Sequence, residues 1–243
     1  MDAASEFAFS ALSWRDAAAL VLFAVCVAGL TALIERPRAD RLSVGRLMAQ
    51  HRERWMGEMA ERDVRIMDAA LLNIQHQGAG FFASASMIAI GGVFALIGSA
   101  ETLLAVAGDL AAGQANRAVW ELKLLFLLVL MVLALLSFIW SQRLFGYCAV
   151  LIGAVPPVGE DNNRHAIAAQ AAIVNIRAGR SFNRGLRLVY FALASLAWLL
   201  GPEAFALATL ATTAMIYRRE YRSATHEALA APAPDAAEAP DRR

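Results

Sequence analysis

Between Lys123 and Arg143 the chain reads Leu-Leu-Phe-Leu-Leu-Val-Leu-Met-Val-Leu-Ala-Leu-Leu-Ser-Phe-Ile-Trp-Ser-Gln, without one charged residue. As a helix, residues 124–142 extend about 28 Å at about 1.5 Å per residue, close to one hydrocarbon core. The only lysine of the chain stands at one end and an arginine at the other. Both are placed to reach lipid headgroups. The stretch marks an integral membrane protein, and the rest of the sequence has to be read in a bilayer.

Composition agrees. Of 243 residues 59% are apolar, against roughly half in a soluble globular chain. A formal net charge of +1 gives no basic patch of the kind nucleic acids require, and none is expected as a partner. The preference for Arg over Lys and the abundance of Ala point to a GC-rich bacterial genome and hence to the bacterial cytoplasmic (inner) membrane. Cys26 and Cys148 both fall in apolar stretches, where small buried hydrophobes are the plain reading.

A first transmembrane helix is expected at 17–34. Asp2, Glu6 and Asp16 precede it and Arg36, Arg38, Arg41 and Arg46 follow it. A cleavable signal has its positive charges first, so this segment is an anchor with the N-terminus outside. Residues 43–77 are charged but periodic. Val44, Met48, Trp55, Met59, Ile66 and Ala70 recur at steps of four and seven, which predicts one amphipathic cytoplasmic helix, with Gly78 and Gly80 as a hinge behind it.

A second span is expected at 81–99. Ser84, Gly91 and Gly98 recur every seven residues along it, a small-residue face of the sort that packs helix on helix where lipid supplies no hydrophobic drive. The third span, 124–142, follows a short outer loop. Pro156 and Pro157 end it, and Asp161, Asn162 and Asn163 offer caps for a cytoplasmic helical loop at 163–180.

Residues 186–217 form a last apolar region. One helix would be about 47 Å long and would carry Glu203 to mid-bilayer, at about 2.5 to 3.5 kcal/mol. Gly201-Pro202-Glu203 reads better as a turn, giving a transmembrane hairpin, with a long kinked helix as the alternative. Each arm of that hairpin is only about 20 Å. The tail, 224–243, is Ala-, Pro- and Asp-rich and is expected to be disordered. Trp14, Trp120 and Trp198 would line the outer interface, and Trp140, Tyr147, Tyr190 and Tyr217 the inner one.

Several segments resemble the family named domain of unknown function 599, a set of multi-pass membrane proteins. They are Arg54-Trp55-Met56, Met59 and Arg62-Asp63-Val64-Arg65-Ile66-Met67-Asp68; then Phe81-Phe82-Ala83-Ser84, Gly91 and Gly98. Glu121-Leu122-Lys123, Trp140, Arg143, Tyr147, Ile152-Gly153-Ala154 and Pro156 follow, with Asn183-Arg184-Gly185-Leu186-Arg187, Tyr190-Phe191-Ala192-Leu193 and Trp198 near the end. The likeness covers Arg54 to about Tyr221. It implies a membrane protein and brings no catalytic residue.

Few residues suggest chemistry. Arg62, Asp63, Arg65 and Asp68 are the densest charge cluster, either a docking or gating surface bonded to the inner loop near Arg164 or Arg184, or an ordinary solvated helix face. Lys123 and Glu121 lie at the outer mouth of the third span. Lys123 either attracts an anion or gates with Glu203 or Asp109, or it simply anchors depth, although positive charge is sparse outside. Ser84 and Ser86 lack a base within reach, since His76 is eight residues from Ser84, about 12 Å along a helix.

Metal-ligand spacings, phosphate loops and buried acidic pairs are not found, so neither cofactor nor metal nor proton-coupled transport is expected. The expectation is an all-α polytopic protein without enzymatic activity. It would be a homo-oligomeric scaffold in the lipid bilayer whose cytoplasmic helix binds a protein partner, or alternatively an oligomeric channel or transporter for an ion or small solute.

Overall fold

A computed structural model describes residues 13–35, 42–99, 117–159 and 163–231. The described residues form helices and no strand. In chain order these are α1 (Trp14–Glu35), α2 (Val44–Ala60), α3 (Ile66–Gly98), α4 (Arg117–Gly153), α5 (Arg164–Leu196), a 3-10 turn (Ala197–Leu200), α6 (Pro202–Tyr221) and the short α7 (Ala224–Ala230). Three of them, α1, α3 and α4, are long and apolar enough to cross a membrane.

α1 starts on a capping box. Ser13 Oγ accepts from Asp16 N at 3.2 Å, and Asp16 Oδ2 in return accepts from Ser13 N at 3.1 Å and from Ser13 Oγ at 2.6 Å. Two N–H groups that the first turn leaves without a helical partner are thereby satisfied.

The single helix expected over 43–77 is two. α2 ends at Ala60, where Glu61 and Arg62 bond back three residues, to Glu58 and Met59, and tighten the last turn. The chain then turns at residues 62–65 and α3 begins. The expected stripe is buried only in part: Met59 is buried beside Leu47, Met56 and Ala60, whereas Met48 and Ile66 are exposed. α2 packs on α5 instead of continuing α3. Nor is there a hinge at Gly78 and Gly80. α3 runs through both as one helix of about 50 Å. A Cβ on Gly80 would lie 2.9 Å from Gln142 Nε2, so this glycine serves the close approach of α4.

α5 likewise joins what the sequence divides into a loop helix, 163–180, and the first arm of a hairpin. Nothing from Ala178 to Gly185 stops a helix, and the small residues there face α4. Ser141 Oγ donates to the Ala178 carbonyl at 2.9 Å and Ser181 Oγ to the Ser137 carbonyl at 2.8 Å. A Cβ on Gly185 would come within 2.6 Å of the Phe138 ring.

The last apolar region is a hairpin. Gly201 takes φ +134°, a conformation that glycine allows, and Pro202 and Glu203 open α6 as expected. α6 returns along α5, with Arg219 donating to Tyr190 Oη at 3.0 Å. It also lies along α1, from Arg15–Glu203 at one end to Tyr221 Oη, which donates to the Leu33 carbonyl, at the other. Its 20 residues make about 30 Å, longer than the arm read from sequence. Of the expected tail, Ala224–Ala230 is helical, capped by Ser223 Oγ on His226 N at 3.1 Å. Residues 232–243 lie outside the described residues, as do Asp2, Glu6, Arg36, Arg38, Arg41, Asp109, Asp161 and Asn162.

Two cores stack along α4. The first is aromatic: Phe23 meets Phe126, Phe191 and Phe205 at 5.2–5.5 Å between centroids, and Phe82, Phe138 and Phe182 close a second knot. Such pairs add about 0.5–1.5 kcal/mol each beyond burial. The second, around Met56, Met59, Phe145 and Cys148, is lined by Ala168, Ala171 and Ala172, which let α2 and α4 close on α5.

Candidate functional site

The charge cluster of the sequence comes together at the end of α4, though not as a helix face. Asp68, in the first turn of α3, is fully buried and holds two donors on one oxygen: Trp55 Nε1 at 2.7 Å and Arg62 Nη1 at 2.9 Å. Arg65 reaches across to the loop after α4, donating to the Val155 carbonyl and, at 2.8 Å, to that of Pro156. Asp63 Oδ1 accepts Val158 N at 3.2 Å, and Glu61 pairs with Arg164 at 3.3 Å. The turn between α2 and α3 is thus latched onto the loop between α4 and α5, near Arg164 as one reading required. Arg184 is elsewhere, on Glu35.

The latch has an incomplete member. Asp68 Oδ2 is buried and has no hydrogen-bond donor among the described residues. A buried carboxylate oxygen without a donor is costly, and the stabilisation comes from its twin.

At the other end of α4, Lys123 does not meet Glu203. Its ammonium donates to the Trp198 carbonyl at 2.9 Å and lies 5.5 Å from that indole's centroid. The carbonyl belongs to the 3-10 turn closing α5, where a cation is favourable. Trp198 is 1% exposed, so it is a core residue and not part of an interfacial belt. Its Nε1 donates to Asp16 Oδ1 at 2.7 Å. Glu203 pairs with Arg15 at 3.1 Å, both well exposed, and Glu121 with Arg117 at 2.7 Å, one helical turn apart. Exposed pairs of this kind contribute about 0–1 kcal/mol.

The Ser84, Gly91 and Gly98 face packs against no helix among the described residues. All three are exposed, and a Cβ on either glycine would meet nothing within 4 Å. The face that packs on α4 carries Ala79, Ala83, Ser86 and Val93. Gly91 and Gly98 therefore look outward, away from the bundle.

Sequence reading missed three residues. Glu35 is a hub: Arg187 donates to it at 2.9 Å and Arg184 at 3.2 Å. One signal for it is positional, since Glu35 ends one apolar run and the two arginines flank another. Arg52, inside the bundle, donates to Gln75 Oε1 at 2.5 Å and to Asn175 Oδ1, and has no carboxylate partner among the described residues. Burial pushes its pKa below the ordinary guanidinium value, yet an arginine keeps its proton. Asn175 is fully buried and also bonds Cys148 Sγ at 3.6 Å.

Reactive pairs are not formed. Ser86 Oγ donates to the Phe82 carbonyl at 2.8 Å, and Cys148 Sγ to the Ala171 carbonyl at 3.5 Å. Among the described residues no three His, Cys, Asp or Glu side chains converge as metal ligands would.

No curated protein and no solved structure matches the chain. A family profile does, over residues 18–225, which takes in both ends of α4, the latch and the hairpin. The chain belongs to the family "Protein of unknown function, DUF599".

Proposed function

We propose that this protein is a non-catalytic scaffold of the bacterial inner membrane that assembles from several copies of itself. Its N-terminus lies outside, and α2 and the latch lie in the cytoplasm. The observation that carries this reading is the setting of α3. That span packs chiefly along α4, while Phe81, Met87, Ile88 and Phe94 on its other sides are exposed beside the Ser84–Gly98 face. A span held on one side, with small residues outward, is suited to meeting another helix closely.

Charge supports the orientation. Arg46, Arg52, Arg54, Arg62, Arg65, Arg164, Arg177, Arg180 and Arg184 gather toward the α2 end, against Arg15, Arg117 and Lys123 at the other. The aromatic knots around Phe23 and Phe138 fill the bundle interior, which argues against transport through a single copy. In this reading α5 and α6 add a hairpin crossing to the three spans, and the latch gives α2 a fixed posture for a cytoplasmic protein partner.

The test is particle mass together with flux. Full-length protein in nanodiscs should exceed one copy, and a Gly91→Cys variant should cross-link across copies. A single copy by mass, with no cross-link, would defeat the scaffold. Ion flux in liposomes that a bulky residue at Gly91 blocks would replace it with an oligomeric channel lined by this same face.

A further inference from the structure

At the α2 end, a cavity of about 460 Å³ opens between α1, α2, α5 and α6. Five guanidinium groups line it, those of Arg46, Arg52, Arg180, Arg187 and Arg219, against only two carboxylates, Glu35 and Glu220. Both carboxylates are engaged: Glu35 by Arg184 and Arg187, and Glu220 by Gly45 N at 3.2 Å. The wall therefore keeps, among the described residues, an excess of positive charge over carboxylates.

Arg52 shows this most plainly. Its two bonds, to Gln75 and Asn175, both leave from Nη1 and both end on neutral oxygens. Nε and Nη2 donate to nothing among the described residues. They lie over Gly179, where a Cβ would stand 3.2–3.3 Å from the guanidinium, so only glycine lets the fork lie against α5 without displacement. Arg180, next along α5, has no hydrogen bond or ion pair among the described residues. A half-buried guanidinium with an unfilled edge, held by neutral groups in a basic cavity, lacks its anion.

Position narrows the anion. The cavity begins at Ile34 and Glu35, the last turn of span α1, and its floor includes Leu186 and Ile216. In the membrane reading proposed above, on which this inference rests, this is headgroup level, with apolar surface on one side and arginines on the other. Basic pockets between membrane helices at that depth suit phosphate headgroups, and an arginine fork matches two phosphate oxygens.

We propose that this cavity is a binding site for a phosphate group, presented by the headgroup of an anionic phospholipid, with Arg52 and Arg180 as its principal ligands. The site is independent of the number of copies in the assembly.

Native mass spectrometry of the full-length protein, titrated with phosphatidylglycerol and with phosphatidylcholine, tests it. Phosphatidylglycerol should bind more tightly. Arg52→Gln and Arg180→Gln should each reduce that preference about fivefold, the factor for about 1 kcal/mol per arginine at a membrane surface. Arg54→Gln, an exposed charge on α2 outside the cavity, should leave it unchanged. Thermal stability with inorganic phosphate, in nanodiscs of phosphatidylcholine alone, separates the sources. A stabilisation there that Arg180→Gln removes would assign the site to a soluble phosphate.

Equal losses in all three variants would reduce the effect to surface charge and overturn the site. So would unchanged preference in Arg180→Gln together with no response to inorganic phosphate. Because Arg180 is exposed and unpartnered, that variant decides the matter even if Arg52→Gln does not fold.

Discussion

Asp16 and Asp68 lie toward opposite ends of α4, and each accepts an indole N–H at 2.7 Å, from Trp198 and from Trp55. Both are buried in the first turn of a helix, where the helix dipole favours negative charge. They differ in how their oxygens are used. Asp16 spends both: Oδ1 on Trp198, Oδ2 on the Ser13 amide and hydroxyl. Asp68 puts Trp55 and Arg62 on one oxygen and leaves the other without a donor. The cations differ too. Lys123 holds the carbonyl of Trp198 rather than Asp16 itself, whereas Arg62 pairs directly with Asp68 and is half exposed. One end is a saturated clasp built into the bundle; the other is a latch whose cation stands partly in water.

The comparison predicts unequal costs. Asp16→Ala should be the most damaging change, because it removes a cap, worth about 1 kcal/mol, and leaves the Trp198 N–H buried without an acceptor, at about 1–3 kcal/mol more. A fall of about 3 kcal/mol in stability, read from thermal unfolding of the purified protein, is expected. An unchanged midpoint would mean that the clasp contributes little and that aromatic packing alone holds α1 to the hairpin.

Asp68→Asn should cost less, about 1.5 kcal/mol. The amide keeps one oxygen for Trp55 and Arg62 and sets a buried NH2 group in the place of Oδ2, and it loses the charge that strengthens both bonds. If Asp68→Asn proved as harmful as Asp16→Ala, the unfilled Oδ2 would need a donor not yet identified. Lys123→Met comes next, at about 1 kcal/mol, the worth of one bond to the Trp198 carbonyl and a partly solvated cation–π contact. Its wild-type behaviour in any flux assay would fit a residue that secures a helix end.

How far these ends could be read from sequence follows the range of the interactions. The apolar runs and the Gly201-Pro202-Glu203 turn depend on neighbouring residues, and they form long apolar helices and a turn as read. Asp16 and Trp198 are 182 residues apart, and nothing local announces that a tryptophan at a helix end is buried rather than interfacial. Small residues misled for a related reason. Gly80 and Gly185 serve contacts with Gln142 and Phe138 on another helix, yet in sequence Gly80 reads as a hinge and Gly185 falls between two segments read as separate helices. Conversely Gly91 and Gly98, which read as a seam, meet nothing among the described residues. The Arg62–Asp68 segment is legible as a charge cluster, with a link to Arg164 or Arg184 as one of two readings, but the break that creates the latch is hidden by helical periodicity continuing across it.

The smallest effect sharpens the latch itself. Asp63 is exposed, and its contribution is one bond from Val158 N to Oδ1 at 3.2 Å. Asp63→Asn keeps an acceptor oxygen in that place, and the lost charge is screened by water. The change should therefore stay within about 0.5 kcal/mol of wild type and leave the yield of folded protein unaltered. Asp63→Ala, which removes the acceptor, should cost slightly more, about 0.5–1 kcal/mol. Should Asp63→Asn instead match Asp68→Asn, the latch would depend on its total negative charge against Arg62, Arg65 and Arg164. In that case the specific bonding of Asp68 would no longer distinguish it from an ordinary acidic patch.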